Sequence, residues 1–327
     1  MKALVTGATG FVGAAVVRAL IKTGVEVRVL ARRDSDFSNL QQFKIDGAYG
    51  DLRDKGSLRK ALAGCGQLYH IAAHYALWAR DPAIFYDVNV TGTKNLMEAA
   101  RDVGTDRIVY CSTIGAIGLP PGGGLGTEET PVSLEQMAGH YKRSKYLAEQ
   151  EVLALAKQGL PVVIVNPSAP VGEGDVKPTP TGQMIVDFMK GRMPAYIETG
   201  MNIVDVDDVA AGHLLAMQKG RIGERYILGT KNLMLRDIFE ILSRLTGVAM
   251  PSVKLPRELI LPLAYLNLAF SWVTGIPPRI PLEGVKMAKY KMHYDCSKAI
   301  RELGIPQTPP EVALEKAVRW FRDHHYA

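Results

Sequence analysis

The stretch TGATGFVG, residues 6–13, places three glycines at intervals of three between a short apolar run and an amphipathic segment. The run KALVT (2–6) is predicted to be a β-strand, and residues 11–24 have the three- and four-residue apolar spacing of a helix that stops at Gly24. Glycine permits positive backbone angles in such a turn and lets a pyrophosphate approach the backbone closely. The helix N-terminus then faces the phosphates with unpaired N–H groups. The pattern predicts a dinucleotide-binding unit.

Strands and helices alternate through the first half of the chain. After the opening unit, strands are predicted at 25–31, 67–72, 107–112 and 161–166, and helices at 56–63, 83–103 and from 139 onward. These strands are apolar enough to be buried on both faces. They therefore predict an α/β fold, a Rossmann-type doubly wound parallel sheet with helices on each side.

The second half of the chain breaks this rhythm. Residues 167–182 are rich in proline and glycine and are predicted to be irregular. Beyond them the sequence predicts a helix at 182–190, short strands at 194–205, a helix at 207–219, a strand at 225–229 and then mostly helices. We predict a dinucleotide-binding Rossmann domain over 1–170 with a return around 203–230, and a smaller, mostly helical substrate-binding portion over 171–202 and 231–327.

Composition and charge narrow the possible partners. Hydrophobic residues make up 47% and charged residues 22% of the 327, which is typical of an ordered globular protein. The net charge of +6 comes from basic residues scattered among 33 acids, so we expect no nucleic-acid partner. Cys65, Cys111 and Cys296 lie far apart and predict neither a disulfide framework nor a metal site. Without the pattern of a signal peptide, a cytoplasmic protein is expected.

One segment has the length of a candidate membrane span. No residue from Leu259 to Pro278 is charged, but prolines, a glycine and polar residues interrupt the run. We expect no transmembrane span here. A buried or lid helix of the substrate-binding portion is favoured, and the alternative is an interfacial segment that gives peripheral membrane contact.

A tyrosine and a lysine stand four positions apart in GHYKRSKYLAEQE, residues 139–151. Positions i and i+4 share one helix face, so Tyr141 and Lys145 are predicted to point the same way. A nearby ammonium and a positively charged nicotinamide can lower the pKa of a phenol from about 10 toward neutrality. The spacing suits a proton-transfer pair, although such a pair is also common on solvated surfaces.

Several further landmarks follow in a fixed order. They are GDLRD (50–54), YHIAAH (69–74), NVTGTKNLMEAA (89–100), YCSTIGAIG (110–118), YKRSK (141–145) and IVDVDDVAAGHLLAM (203–217). With VTGATGFVG, they make the chain resemble the extended short-chain dehydrogenase/reductases, the NAD-dependent epimerase/dehydratase superfamily, over essentially its whole length. Within that superfamily the chain resembles dihydroflavonol-4-reductase-like enzymes and, more closely through GHYKRSKYLAE and residues 166–200, hopanoid-associated sugar epimerases.

The resemblance implies roles for particular residues. Tyr141 would be the general acid or base, Lys145 its tuner and ribose anchor, and Thr113 would replace the catalytic serine of the family, with Ser112 as the alternative. Asn89 matches an asparagine that braces the helix behind the site, and a helix cap is its alternative role. The implied cofactor-binding positions are Gly7, Thr9, Gly10, Phe11, Val12, Gly13, Arg32, Arg33, Asp51, Leu52, Ala72, Ala73, Tyr141, Lys145, Pro167 and Ser168. No metal ligands are implied.

The end of the second strand bears on the choice of cofactor. An acid there holds the ribose hydroxyls of NAD, whereas an arginine pairs with the 2′-phosphate of NADP. In VLARRDSD, Ala31 stands where NAD-using relatives carry the acid, and Arg32 and Arg33 follow. NADP(H) is therefore predicted, with NAD(H) as the alternative, and Asp51 and Leu52 match the position that lines the adenine.

Three functions are compatible with this sequence. An NADPH-dependent oxidoreductase would reduce a ketone or aldehyde, whereas a nucleotide-sugar or hopanoid-linked sugar epimerase or dehydratase would retain its cofactor. Relatives that bind nucleotide sugars carry an arginine before VDDVA, but residues 197–209 contain no Lys or Arg, which favours an apolar or lipid-linked carbonyl substrate. A non-catalytic dinucleotide-binding protein is disfavoured by Tyr141 and Lys145. The family implies a homodimer.

Overall fold

The computed structural model describes residues 1–327. Its strands are β1 (Lys2–Thr6), β2 (Glu26–Ala31), β3 (Asp46–Tyr49), β4 (Gln67–His70), β5 (Arg107–Cys111), β6 (Val162–Pro167), β7 (Ala169–Val171), β8 (Ala195–Tyr196), β9 (Gly200–Asp205), β10 (Arg225–Leu228), β11 (Lys231–Met234), β12 (Val253–Lys254) and β13 (Lys291–Met292). Its helices are α1 (Phe11–Lys22), α2 (Lys55–Leu62), α3 (Ala83–Tyr86), α4 (Gly92–Asp102), α5 (Gly139–Lys157), α6 (Pro180–Met189), α7 (Val206–Lys219), α8 (Leu235–Thr246), α9 (Arg257–Thr274), α10 (Leu282–Met287), α11 (Ser297–Leu303) and α12 (Pro310–Asp323). Short 3₁₀ turns occupy Ser38–Leu40, Ile114–Ala116 and Leu134–Gln136, and a π-helical turn, Asp87–Thr91, joins α3 to α4.

The main sheet has seven parallel strands in the order β10-β6-β5-β4-β1-β2-β3. Its inner strands are almost entirely buried, because α1, α7 and α11 cover one face and α2, α4 and α5 cover the other. The strand order reverses between β1 and β4, which opens a crevice at the carboxyl ends of these strands. The predicted Rossmann-type doubly wound α/β fold is confirmed.

Five short strands, β3, β7, β11, β12 and β13, were not predicted from the sequence, and the first two show why. The edge strand β3 has the sequence DGAY, with no apolar run, and pairs only with β2. The prediction that 167–182 is irregular is wrong for its first residues, since β7 pairs with β9 through Ala169↔Ile203. In both places pairing with a partner strand outweighs a weak local preference.

The later segments build a second layer beyond this sheet. Strands β7, β9, β11 and β13 form a small mixed sheet. Helices α6, α8 and α12 pack on it through a separate apolar core that includes Phe188, Phe239 and Phe321. Between β9 and β11 the chain returns to the main sheet, where β10 pairs with β6 through Arg225↔Ile164. The second layer is thereby held beside the carboxyl end of β6.

Helix α9 carries most of the uncharged segment. Only Ala264 and Ser271 on this helix are buried, and the side opposite them is in solvent. Leu259, Leu266 and Val273 are 63%, 68% and 86% exposed. The prediction of a buried helix is therefore wrong for its outer face. No helix of the protein has both the length and the apolar character needed to cross a membrane.

Candidate active site

The sequence-predicted site residues follow the ends of successive strands. Gly7 to Gly13 come after β1, Arg32 and Arg33 after β2, Asp51 and Leu52 after β3, Ala72 and Ala73 after β4, and Ser112 and Thr113 after β5. Pro167 ends β6 and Ser168 follows it. Since these strands are parallel, all of these residues lie at the carboxyl edge of the main sheet.

The glycine turn is closed by its neighbours. Gly7 has φ +70°, and a Cβ atom placed on it would lie 2.6 Å from the Ala72 backbone nitrogen. A Cβ on Gly13 would overlap the Gly7 carbonyl oxygen. The Ala72 amide donates to Thr6 Oγ1 at 3.2 Å, which ties the end of β4 to the turn. Side chains at both glycines are therefore excluded by the fold, as the pattern predicted.

Helix α1 begins with open backbone donors. Its N-cap is Gly10, which has no capping side chain, and the Gly10 amide itself donates to Gly7 O at 3.0 Å. Thr9 is partly buried and Phe11 is buried at this end, while Val12 is partly exposed. Unpaired N–H groups at a helix start, beside glycines that admit close approach, suit a pyrophosphate. These residues fit a nicotinamide dinucleotide.

Two exposed arginines lie at the end of β2. Ala31 is 7% exposed, whereas Arg32 and Arg33 project into solvent. The Arg32 side chain is 64% exposed and lies 3.5 Å from Asp34, and Arg33 lies over the Tyr49 ring at 5.5 Å from its centroid. Neither guanidinium has a buried carboxylate partner, so both can turn toward a phosphate.

The carboxylate proposed to contact adenine already has a partner. Asp51 accepts from Arg53 Nε at 2.9 Å and from Arg53 Nη2 at 2.7 Å, and these hydrogen bonds lower its pKa to about 2. Leu52 is buried beside it, and its carbonyl accepts from Asn95 Nδ2 at 3.2 Å. An adenine contact through Asp51 has to share that carboxylate with Arg53.

Lys145 is buried in α5 and faces the end of β5. Its ammonium donates to Tyr110 Oη at 2.9 Å and to the Cys111 carbonyl at 2.8 Å. Burial lowers the pKa of Lys145 to about 8, and Cys111 and Glu149 oppose that effect. The two hydrogen bonds use two of the three ammonium protons, which leaves one for a ribose hydroxyl.

Tyr141 lies one turn before Lys145 on the same helix and is partly buried. Its ring is 4.7 Å from that of Tyr75, measured between centroids. Burial, with smaller effects from Tyr75 and Cys111, raises the pKa of Tyr141 well above its usual value, while the Thr113 hydroxyl acts to lower it. The expected lowering by Lys145 is not seen in the protein alone, because that ammonium is directed at Tyr110 and Cys111. The phenol is therefore protonated at neutral pH.

The two hydroxyls after β5 have different surroundings. Thr113 is partly exposed, its Oγ1 accepts from the Gly115 amide at 3.1 Å, and it influences the Tyr141 phenol. Ser112 is 6% exposed, and its Oγ is buried without a hydrogen-bond partner. Of the two alternatives, Thr113 has the surroundings expected of a group that meets a substrate oxygen.

Asn89 braces the site from behind. It lies inside the π-helical turn, which rules out the helix-cap alternative, and it is 2% exposed. Its Oδ1 accepts from the His74 amide at 2.7 Å, and its Nδ2 donates to the His74 carbonyl at 3.2 Å and to Ser144 Oγ at 2.9 Å. Asn89 thus joins the loop after β4 to helix α5.

Other groups near the site were not identified from the sequence. Tyr75 is 66 positions from Tyr141 in the sequence but contacts it in the fold, and no local sequence pattern predicts that contact. The fully buried Glu149 accepts from Asn166 Nδ2 at 2.7 Å and lies 3.3 Å from Arg225. The only sequence signal for Glu149 was its position one turn after Lys145 on α5, which places the two residues on the same helix face. Ser168, by contrast, is one of the predicted cofactor-binding positions, and its Oγ is buried without a partner after β6.

A glycine-lined dinucleotide site beside a Tyr–Lys pair defines an NAD(P)-dependent oxidoreductase of the extended short-chain dehydrogenase/reductase type. The chain belongs to the NAD dependent epimerase/dehydratase family, whose sequence profile matches residues 3–229.

Individual relatives include both reductases and epimerases. The chain is 47% identical to the "Putative dihydroflavonol 4-reductase" of Synechocystis sp., with 98% of this chain and 95% of that protein covered. It is 39% identical to "Sterol demethylase protein B" of Methylococcus capsulatus, with 99% of each chain covered. A solved structure of a nucleoside-diphosphate-sugar epimerase from Pseudomonas aeruginosa is 28% identical and has a TM-score of 0.83, with 100% of this chain and 99% of that chain covered. The resemblance to the extended family and to dihydroflavonol-4-reductase-like enzymes is confirmed.

Proposed function

We propose that this protein is an NADPH-dependent reductase that converts an apolar ketone or aldehyde to an alcohol, with Tyr141 as the proton donor. The geometry that carries the proposal is the place of Tyr141 on α5, one turn before the buried Lys145, whose ammonium is bonded to the end of β5 at the sheet edge that holds the glycine turn. A reduction needs a proton donor beside the carbonyl oxygen, and a phenol, which is protonated at neutral pH, can take that role.

The proposed mechanism assigns one task to each side chain. When bound, the reduced nicotinamide supplies a hydride to the carbonyl carbon. Tyr141 gives its proton to the carbonyl oxygen as negative charge develops there, and Thr113 donates a hydrogen bond to the same oxygen. Lys145 holds the ribose with its remaining ammonium proton, and the phenolate regains a proton from solvent.

The preference for NADPH rests on the end of β2. Ala31 offers no carboxylate to bind ribose hydroxyls or to repel a phosphate, and two exposed guanidiniums follow it. Guanidinium groups bind phosphate through paired, charge-assisted hydrogen bonds. NADPH therefore gains an interaction at this position that NADH lacks.

The proposed substrate class rests on what the second layer supplies. Strand β9 and the residues around it, 197–209, contain no basic side chain that could pair with a sugar diphosphate. Aromatic residues, Tyr75 and Trp78, lie on the loop next to Tyr141 instead. The relatives named as a dihydroflavonol reductase and a sterol demethylase protein agree with a polycyclic or otherwise apolar carbonyl compound.

The similarity to a sugar epimerase supports a second candidate function, epimerisation or dehydration with retained NAD(P). That chemistry begins with an oxidation, in which the tyrosine has to accept a proton as a phenolate. Residues 197–209 contain no basic side chain to pair with the diphosphate of a nucleotide sugar, which counts against this candidate. The reductase is therefore the better supported of the two.

The test is reduction of a panel of aldehydes and ketones by purified protein with NADPH. Tyr141→Phe should lower kcat by at least about 100-fold and leave the Kd for NADPH within about twofold, since the phenol acts on the proton and not on binding. Tyr146→Phe is the matched control, because Tyr146 also lies on α5 but donates to the Val132 carbonyl. Full turnover by Tyr141→Phe would refute the assignment, and nucleotide that stays bound without net oxidation would favour the epimerase.

A further inference from the structure

The outer face of helix α9 is apolar along its whole length. Its most exposed side chains, Leu259, Leu263, Leu266, Phe270 and Val273, follow one another at intervals of four and three residues, so they form one stripe. All five are at least 51% exposed. A helix that is apolar on all sides needs an apolar environment on all sides, and packing supplies it only on the inner face.

The inner face of α9 is already packed. Ala264 is fully buried against Leu282 and Val285 of α10, and Ile197, Ile260 and Ile280 surround them. The loop after α9 is tied down where the Ile280 amide donates to Asn267 Oδ1 at 2.9 Å. Helix α9 therefore packs on the rest of the protein through one side, and the exposed stripe lies on the side that makes no such contacts.

Amphipathic aromatic and basic side chains border the stripe. Tyr265 and Trp272 lie seven residues apart on the flank of α9 and are 50% and 49% exposed. Lys286 lies over the Tyr265 ring at 5.4 Å, and Arg80 lies beside Gly275 just after the helix. Arg279 is exposed in the loop that follows, and the one acid of the helix, Glu258, pairs with Arg257 at 3.2 Å.

We propose that the outer face of α9 docks on an anionic lipid bilayer, with the helix lying in the plane of the interface. Tyrosine and tryptophan prefer the boundary between headgroups and acyl chains, and basic residues around an apolar face bind anionic headgroups. A protein partner or a second copy would also cover an apolar stripe, but neither is indicated by this border of cations and aromatic rings. The charge pattern favours the bilayer.

The docked face adjoins the candidate active site. Trp272 packs edge-on against Trp78 at 6.3 Å between ring centroids, and Trp78 belongs to the same loop as Tyr75, whose ring contacts Tyr141. On the other side of α10, Glu283 accepts from the His140 amide at 3.2 Å, next to Tyr141. A bilayer on α9 would therefore lie next to the elements that border the site and could deliver an apolar compound to them.

The experiment is flotation of the full chain with phosphatidylcholine vesicles, with and without about 30% phosphatidylglycerol. We expect binding to the anionic vesicles, a weaker partition to the neutral ones, and a loss of at least about tenfold for the double variant Leu266→Gln/Phe270→Gln. The matched control is Leu125→Gln/Ile222→Gln, which removes side chains of similar exposure, 48% and 53%, outside α9. An unchanged melting temperature shows that both variants fold.

Three outcomes would overturn the proposal. Wild-type protein that stays with the non-floating fraction would show no bilayer affinity. Equal flotation of the two double variants would show adsorption through the net positive charge alone. A dimer that dissociates only in Leu266→Gln/Phe270→Gln, without vesicle binding by the wild type, would show that a second copy covers the stripe. Flotation is read without turnover, so its result is independent of the reductase test.

Discussion

At the scale of single residues, Tyr141 and Lys145 share a helix face but contact different groups. The ammonium is held by Tyr110 and the Cys111 carbonyl, while the phenol lies with Tyr75 and Thr113. Each group is consequently tuned by its own burial more than by the other. Burial keeps the phenol protonated and brings the lysine close to losing its proton near pH 8.

The pKa of Lys145 predicts how cofactor affinity depends on pH. In the proposed mechanism the Lys145 ammonium holds the ribose, so affinity should be full below about pH 8 and fall as pH rises through that value. Between pH 7 and 9 the Kd for NADPH should increase by up to about tenfold, as measured by fluorescence titration. Tyr141→Phe should show the same rise in the Kd for NADPH with pH. Its loss in that variant, or its persistence in Lys145→Met, would contradict the assignment.

Lys142 is the control for that measurement, because burial also lowers its pKa to about 8. Lys142→Met should leave this pH dependence of the Kd unchanged.

The lowered pKa of Lys145 also predicts how the free energy of unfolding changes with pH. The folded protein releases the Lys145 proton near pH 8 and the unfolded chain keeps it until about 10.5, so this group should make the free energy of unfolding rise with pH in that window.

Arg32 is predicted to select the phosphate-bearing cofactor. Arg32→Ala should raise the Kd for NADPH by about 10- to 100-fold, because it removes a charge-assisted hydrogen bond, and should leave the Kd for NADH within about twofold. Both constants can be measured by isothermal titration. Arg59→Ala, which removes the same charge from a surface pair with Asp102, is the control. Equal losses for the two nucleotides would refute the NADPH preference.

At the scale of elements, the site depends on how loops are joined to helices. Asn89 makes three hydrogen bonds between the loop after β4 and α5, so its loss leaves buried polar groups unpaired. Asn89→Ala should lower the free energy of unfolding by about 2–4 kcal/mol in urea denaturation. Asn95→Ala removes a single side-chain bond, to the Leu52 carbonyl, and should cost about 1 kcal/mol. Equal costs would show that Asn89 has no special bracing role.

The glycine turn offers a second comparison between elements. Gly7 and Gly24 both have positive φ, +70° and +77°, but a side chain at Gly24 meets nothing within 4 Å. Gly7→Ala should raise the Kd for NADPH at least about tenfold, because the turn must move away from Ala72. Gly24→Ala should cost about 1–2 kcal/mol of backbone strain and leave affinity unchanged. Normal NADPH affinity in Gly7→Ala would contradict the proposed cofactor seat.

The sequence predicted those elements whose own residues form a recognisable apolar or glycine pattern. Periodic apolar spacing located β1, α1 and the inner strands, and the glycine spacing located the turn at their carboxyl edge. The edge strand β3 has no apolar run, and β7 exists because β9 is beside it, so neither was predicted. The Tyr75 contact with Tyr141 depends on tertiary packing and was likewise out of reach.

At the scale of the whole molecule, the main sheet and the later segments contribute different chemistry. The Rossmann sheet supplies the glycine turn, the arginines and the Tyr–Lys pair, and the later segments supply an apolar second layer and the exposed helix α9. The uncharged run 259–278 favoured a buried or lid helix from its composition, but the outer face of α9 is exposed. Whether such a run is buried depends on the elements that pack against it, which apolar periodicity does not reveal.

The central claim is that exchangeable NADPH reduces a carbonyl compound that receives its proton from Tyr141. The most direct measurement follows deuterium from NADPH that carries deuterium at both hydrogens of nicotinamide C4, with an apolar ketone or aldehyde as substrate and the product analysed by mass spectrometry. We predict many turnovers per protein molecule, with one deuterium in the product alcohol for each NADPH consumed, and no such product with Tyr141→Phe. A product formed without net NADPH consumption, by protein that retains its nucleotide until it is denatured, would contradict this account.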